Sequence, residues 1–121
     1  MTRVRPDRGQ STVELALGLP VACLFLLATV QVAVVARDRL AVQVAAREAA
    51  RAASVAADVA SGRSAARRAV RLAPLDVDIV DTGGLVTATA TFVDHTDVPV
   101  VGALLPDVRV SASVTMAVEP P

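Results

Sequence analysis

The chain of 121 residues contains no lysine, asparagine, tyrosine or tryptophan. All twelve basic residues are arginine. There is one cysteine, Cys23, one histidine, His95, and only two aromatic rings, Phe25 and Phe92. A single cysteine excludes an internal disulfide framework and a CxxC-type zinc site. With Cys23 inside an apolar run and His95 far along the chain, no cysteine–histidine or serine–histidine–acid catalytic set is credible. A formal net charge of zero gives no global pull toward nucleic acid. The length is one domain's worth at most, too short for a large enzyme with its own cofactor domain.

What the chain does have is small apolar residues. Hydrophobic residues make up 54%, against roughly 45–50% in an ordinary soluble domain. The zero net charge hides an uneven distribution. Residues 1–9 are net +2, residues 10–36 carry only Glu14, residues 37–72 are net +5, and residues 73–121 are net −6. Four segments follow one another.

From Leu15 to Ala36 there is no formally charged side chain, and only Thr29 and Gln31 are clearly polar. At 1.5 Å per residue this run makes about 33 Å of helix, enough to cross a hydrocarbon core of about 30 Å. The alternative, a core helix of a soluble protein, would need more chain to cover it. Arg3, Arg5 and Arg8 precede the run, so the N-terminus is expected to stay in the cytoplasm and residues 37–121 outside. Arg37 and Arg39 on the far side weaken that bias. Pro20 removes one helical hydrogen bond and is expected to kink the span. Gly18 and Ala22 form a small-xxx-small pair.

Just before the run stand Arg8-Gly9-Gln10-Ser11-Thr12-Val13-Glu14. A short basic arm ends in glycine, a glutamate follows five residues later, and the apolar stretch begins at once. This resembles the type IV prepilin cleavage site. The resemblance implies a cut between Gly9 and Gln10 by a prepilin peptidase, which leaves the hydrophobic helix on the product with Glu14 as its fifth residue. The chemistry is coherent. A carboxylate at a membrane edge is costly without a partner, and the new amino terminus of one subunit can offer that charge to a neighbour's glutamate. Such a pair sets register more than it adds stability. The same residues also read as a capping box, with Ser11 and Glu14 bonding each other's backbone at a helix start. Two other signals compete. A secretory cleavage near Ala36 would follow an apolar region longer than the usual 7–15 residues. A lipid-modified Cys23 would follow too short a run that contains proline. Cys23 reads more simply as a buried small hydrophobe.

The helix is expected to continue over residues 37–60, which lack Gly and Pro. Arg47, Arg51, Ser54 and Asp58 form one polar stripe; Ala41, Ala45, Ala49, Ala52, Ala56 and Ala60 lie across from it. Ser61-Gly62 reads as a break, followed by a basic helix over about 63–73 that Pro74 stops. Its arginines form a solvated face or meet the acidic C-terminal segment, since no aromatic interleaves for nucleic-acid stacking.

After Pro74 the period becomes two. Val77 and Ile79 alternate with Asp76 and Asp78, and Asp81-Thr82-Gly83-Gly84 is a turn signal. Over Leu85–Asp94, Val86, Ala88, Ala90 and Phe92 share one face and three threonines the other. Over Val108–Val118, Val110, Ala112, Val114 and Met116 oppose Arg109, Ser111, Ser113 and Thr115. Three strands with one apolar face each imply a small antiparallel sheet that the helix covers. The apolar, proline-bounded loop 97–106 either plugs the end of that sheet or forms an exposed patch. His95 beside Asp94 and Asp97 reads as a strand-end histidine among solvated acids rather than a metal ligand. Asp76, Asp78 and Asp81 lack the glycine and bidentate glutamate of a calcium loop.

The expected fold class is α+β: a long N-terminal helix, membrane-spanning in its first half, then a short helix and a sheet of about three strands, a pilin-like layout. The segments are a cytoplasmic leader 1–9, a transmembrane half 10–36, an extracytoplasmic helical region 37–73 and a sheet region 74–121. The residues Gly9 to Pro20, the tract Ala45-Ala46-Arg47-Glu48-Ala49-Ala50-Arg51-Ala52-Ala53 and the terminal strand Ser111–Met116 resemble the TadE-like minor pilins of actinobacterial Flp/Tad pilus systems. One departure is Leu15, where those proteins often carry an aromatic residue. The resemblance implies a non-enzymatic minor pilin or pseudopilin without cofactor, acting as a structural subunit or an assembly and initiation factor. It also implies as partners a prepilin peptidase, a major Flp-type subunit with other minor pilins, and an inner-membrane assembly platform with its ATPase. The protein would sit in the cytoplasmic membrane as a single-pass chain before reaching the pilus or cell surface. The alternatives are an untrimmed membrane-anchored scaffold of a secretion complex and a binding module released near Ala36.

Overall fold

The structure, a computed structural model, describes residues 8–95 and 107–118. Its elements are α1 (Arg8–Ala56), α2 (Val59–Ala69), β1 (Leu75–Thr82), β2 (Leu85–Asp94) and β3 (Val108–Ala117). The chain divides into two units, residues 1–34 and residues 35–121. The expected α+β class holds: a long apolar N-terminal helix, a short second helix and a three-stranded antiparallel sheet.

The first unit, where described, is helix. The helix starts at Arg8 and continues through Pro20. Ser11 to Glu14 therefore lie inside α1, and the capping-box reading is overturned: the backbone is already helical ahead of Ser11. None of the most apolar window of this helix is buried by the rest of the chain. Cys23 is exposed too, because no element of the single chain covers it.

The second unit has a core. Val42, Ala45, Ala46, Ala49, Ala50 and Ala53 of α1 and Ala66 of α2 pack with Leu75, Val77, Ile79, Val86, Ala88, Ala90 and Val110 of the sheet. Alanine allows close approach but buries little area at about 25 cal/mol per Å², so the aliphatic side chains of the sheet supply most of the bulk. The buried face differs from the expected one. Ala45 and Ala49 are in it, but Ala56 and Ala60 are exposed, while Val42, Ala46, Ala50 and Ala53 are buried. Ser54, expected on the polar stripe, is buried as well, its hydroxyl satisfied by donating to the Arg51 carbonyl at 2.9 Å. Asp38 is also buried, on the same stripe as Val42 and Ala45.

The helix break falls at Ala57–Asp58 and not at Ser61-Gly62. Ala57 takes a positive φ of 48°. Asp58 then caps α2, its carboxylate accepting from the amides of Ala60 (3.1 Å) and Ser61 (3.0 Å) and from the Ser61 hydroxyl (2.9 Å). Gly62 is inside α2, where it serves packing rather than flexibility. A Cβ there would sit 2.5 Å from Ile79 Cδ1, 2.8 Å from the Ala49 carbonyl oxygen and 3.1 Å from Ala53 Cβ. The second helix also ends at Ala69, earlier than Pro74 alone implies, which frees Val70 and Leu72 to pack against the core.

The sheet runs β1-β2-β3. Thr82 pairs with Leu85, leaving a two-residue turn of Gly83 (φ 63°) and Gly84 (φ 87°). Positive φ at both central residues is what a type I′ hairpin needs, and glycine adopts it without strain. Val77, Ile79, Val86, Ala88 and Ala90 face the core; Thr87, Thr89, Ser113 and Thr115 face away. That outer face carries cross-strand hydroxyl pairs, Thr87 with Thr115 at 2.9 Å and Thr89 donating to Ser113 at 3.2 Å. The loop 97–106 lies outside the described residues.

Candidate processing and assembly site

Gly9, Gln10 and Glu14 all stand in the first two turns of α1. Gln10 and Glu14 are four residues apart and share a helix face. All three are exposed. Outside its own helical backbone, no atom of the described residues lies within 4 Å of where a Gly9 Cβ would be. Among the described residues there is therefore no packing reason for glycine at position 9, in contrast to position 62. The same is true of Gly18.

Beyond Glu14 the helix surface is uncovered: Leu17 is 70% exposed and Phe25 74%. In water such a surface is unfavourable by about 25 cal/mol per Å² of apolar area. A lipid phase or other apolar helices would remove that cost. The polar groups in the run are few. Thr29 donates its hydroxyl to the Phe25 carbonyl at 2.9 Å and so presents no free donor. Pro20 has no amide hydrogen, which leaves the Ala16 carbonyl without its usual helical donor. Among the described residues one helix is long and apolar enough to cross a membrane.

The other candidate groups are dispersed. His95 Nδ1 lies 3.2 Å from Asp107 Oδ2, with both side chains exposed, tying the end of β2 to the start of β3. Asp76 and Asp78 point to the exposed side of β1, whereas Asp81 shares the face of Val77 and Ile79 and is exposed at the strand end. Among the described residues no three His, Cys, Asp or Glu side chains come together as a metal site. Arg63 of the basic helix donates from Nε to the Val77 carbonyl at 3.2 Å. The Asp58 carboxyl is held below its ordinary value of 3.8 chiefly by the Ala60 amide, then by the Ser61 hydroxyl and amide.

The sequence reading did not single out three positions that the structure makes specific. Gly62 was legible only as a breaker, although glycine inside a helix also signals close approach. Asp58 was readable as a cap, since aspartate followed by short residues favours that role. Asp38 falls at the spacing of Val42, Ala45 and Ala49, so the phase of the buried stripe would have found it.

Neither a curated protein nor a solved structure matches the chain. The family-model match starts at Gly9 and stops before the end of α1, so α2 and the sheet lie outside it. Residues 9–51 match the model described as TadE-like protein, so the chain is similar to that family over most of α1.

Proposed function

We propose that the protein is a structural component of a Tad-type pilus system, specifically a minor pilin or pseudopilin trimmed between Gly9 and Gln10. The observation that carries the reading is an uncovered apolar helix headed by Gly9 and Glu14, over which the TadE-like match runs. Residues 1–9 are a cytoplasmic leader, 10–36 cross the membrane, and the second unit lies outside. A prepilin peptidase removes the leader. The assembly platform and its ATPase then move the helix from lipid into a bundle formed with the major Flp-type subunit and other minor pilins. Glu14 accepts the amino terminus of a neighbour, a contact that fixes stagger. Pro20 bends the helix in that bundle.

Gly9 supports the cleavage role because no contact among the described residues requires a glycine there. Peptide cleavage needs an extended backbone, so the helical turn at Gly9–Gln10 has to unwind in the peptidase, and glycine is the residue that helix formation favours least after proline. The test is the N-terminal residue of the cellular protein, read by mass spectrometry in cells with and without the peptidase. Gln10 as first residue only where the peptidase is present supports the proposal. An intact leader in assembled material refutes it and favours an untrimmed anchor; soluble protein beginning at Arg37 points to a released module.

A further inference from the structure

Within the second unit, Arg39 and Gln43 of α1 and Arg109, Val110 and Ser111 of β3 line an open cleft of about 340 Å³. Arg39 and Gln43 are one helical turn apart, and Arg109 and Ser111 share one face of the strand. Val110 between them is buried and pins the strand to the core. Two arginines thus border one cleft at the edge of β3, and no acid is among its lining residues. Asp107, two residues before Arg109, is engaged by His95 at 3.2 Å, and Asp76 borders a separate cleft with Arg109. Arg109 is the only basic residue in the segment 73–121, which holds seven acids, yet it borders the cleft with Arg39. Like charges sharing a cleft repel unless an anion lies between them.

The position of the cleft along the chain suggests which anion. Arg39 and Gln43 follow Ala36, the last residue of the uncharged run, by three and seven residues in the same helix. At 1.5 Å per residue that is about 4.5 and 10.5 Å. The headgroup zone extends roughly 5–7 Å beyond the hydrocarbon core on each side. Paired guanidinium groups suit phosphate, which they bind through parallel N–H donors.

We propose that this cleft binds the phosphate of an anionic phospholipid headgroup and so holds the second unit against the membrane surface before assembly. The inference rests on the reading that the apolar run spans the membrane. Arg39 and Arg109 supply the charge. Gln43 and Ser111 add uncharged donors.

The full chain is placed in nanodiscs of phosphatidylcholine with a minor fraction of phosphatidylglycerol, and the lipids retained on release are counted by native mass spectrometry. The wild type is expected to retain phosphatidylglycerol preferentially. Arg39→Gln and Arg109→Gln should each lower that preference about fivefold, the worth of one arginine near an anionic surface. Arg67→Gln on α2 should leave it unchanged. Circular dichroism of each variant verifies that the fold is retained. A wild type without preference, or a preference indifferent to both cleft substitutions, overturns the proposal. Inorganic phosphate that displaces phosphatidylglycerol at equal concentration overturns the lipid as source. If Arg109→Gln abolishes contact with an acidic partner protein but not lipid retention, the cleft is a protein contact and the proposal fails. A chain that does not enter the nanodisc at all refutes the membrane reading and this inference together; one that enters without preference refutes the inference alone.

Discussion

The two halves of α1 meet opposite environments with related sequences. Residues 15–36 are dominated by leucine and valine, yet their surface is open, with Phe25 74% exposed. Residues 42–53 are dominated by alanine and are interrupted by Arg47, Glu48 and Arg51, yet six of their apolar side chains are buried. The more hydrophobic half is the one without a partner in its own chain. Burial in a single chain thus follows phase and side-chain size rather than hydrophobicity. The glycines repeat the lesson: Gly62 is walled in by Ile79, Ala49 and Ala53, whereas Gly9 and Gly18 face open space. In the second half the sequence is shaped by its own fold. In the first half no contact among the described residues accounts for it.

That contrast can be broken by paired substitutions in the full chain, with unfolding of the second unit as the measurement. Ile79→Ala should cost about 2–4 kcal/mol by loss of buried methylenes and the cavity left behind. Leu24→Ala should leave this transition unmoved, since Leu24 touches no core; an equal loss from both would abolish the distinction. Next in size, Gly62→Ala should cost about 1–3 kcal/mol, because the new methyl meets backbone as well as a side chain. Gly18→Ala should not destabilise the single chain, and its effect is expected in helix–helix assembly instead. Smaller and opposite in sign is Ala57→Gly. It relieves a positive φ at the helix break and should stabilise by about 0.5 kcal/mol, the left-handed penalty less the entropy that glycine adds to the unfolded chain.

The smallest effect concerns pH. Asp58 has a lowered folded-state pKa, so its cap contributes stability above the unfolded value of 3.8 and loses it as pH falls through the folded value. Asp58→Ala should weaken α2 at neutral pH. Asp58→Asn should keep the cap and remove that acid-side component, measured as helix content against pH.

The strands were legible because period two is a strong signal and because Gly83-Gly84 marks the hairpin unambiguously. Their boundaries agree with the alternation read from Val77 to Ile79 and from Val86 to Phe92. The long helix was legible from its length and the absence of breakers after Pro20. Its end was not, because alanine, not glycine, takes the left-handed position at residue 57, so the break has no composition signal. The glycine at 62 misled for a related reason: its sequence signature is the same whether it ends a helix or lets two elements touch. The buried face was misread because a run with alanine at most positions has no distinct apolar stripe, and only contact with Ile79 and Val77 selects one. The cleft of Arg39 and Arg109 joins residues seventy positions apart, which periodicity along the chain does not reveal.

The decisive measurement concerns the carboxylate that opens the uncovered half. Filament incorporation of Glu14→Gln should be compared with wild type in cells that process both chains equally, using surface-sheared material. Glu14→Gln keeps size and hydrogen bonding and removes only the charge. Loss of incorporation with normal trimming and membrane insertion is the expected result. Undiminished incorporation would show that the charge at the head of this helix has no partner in the assembly.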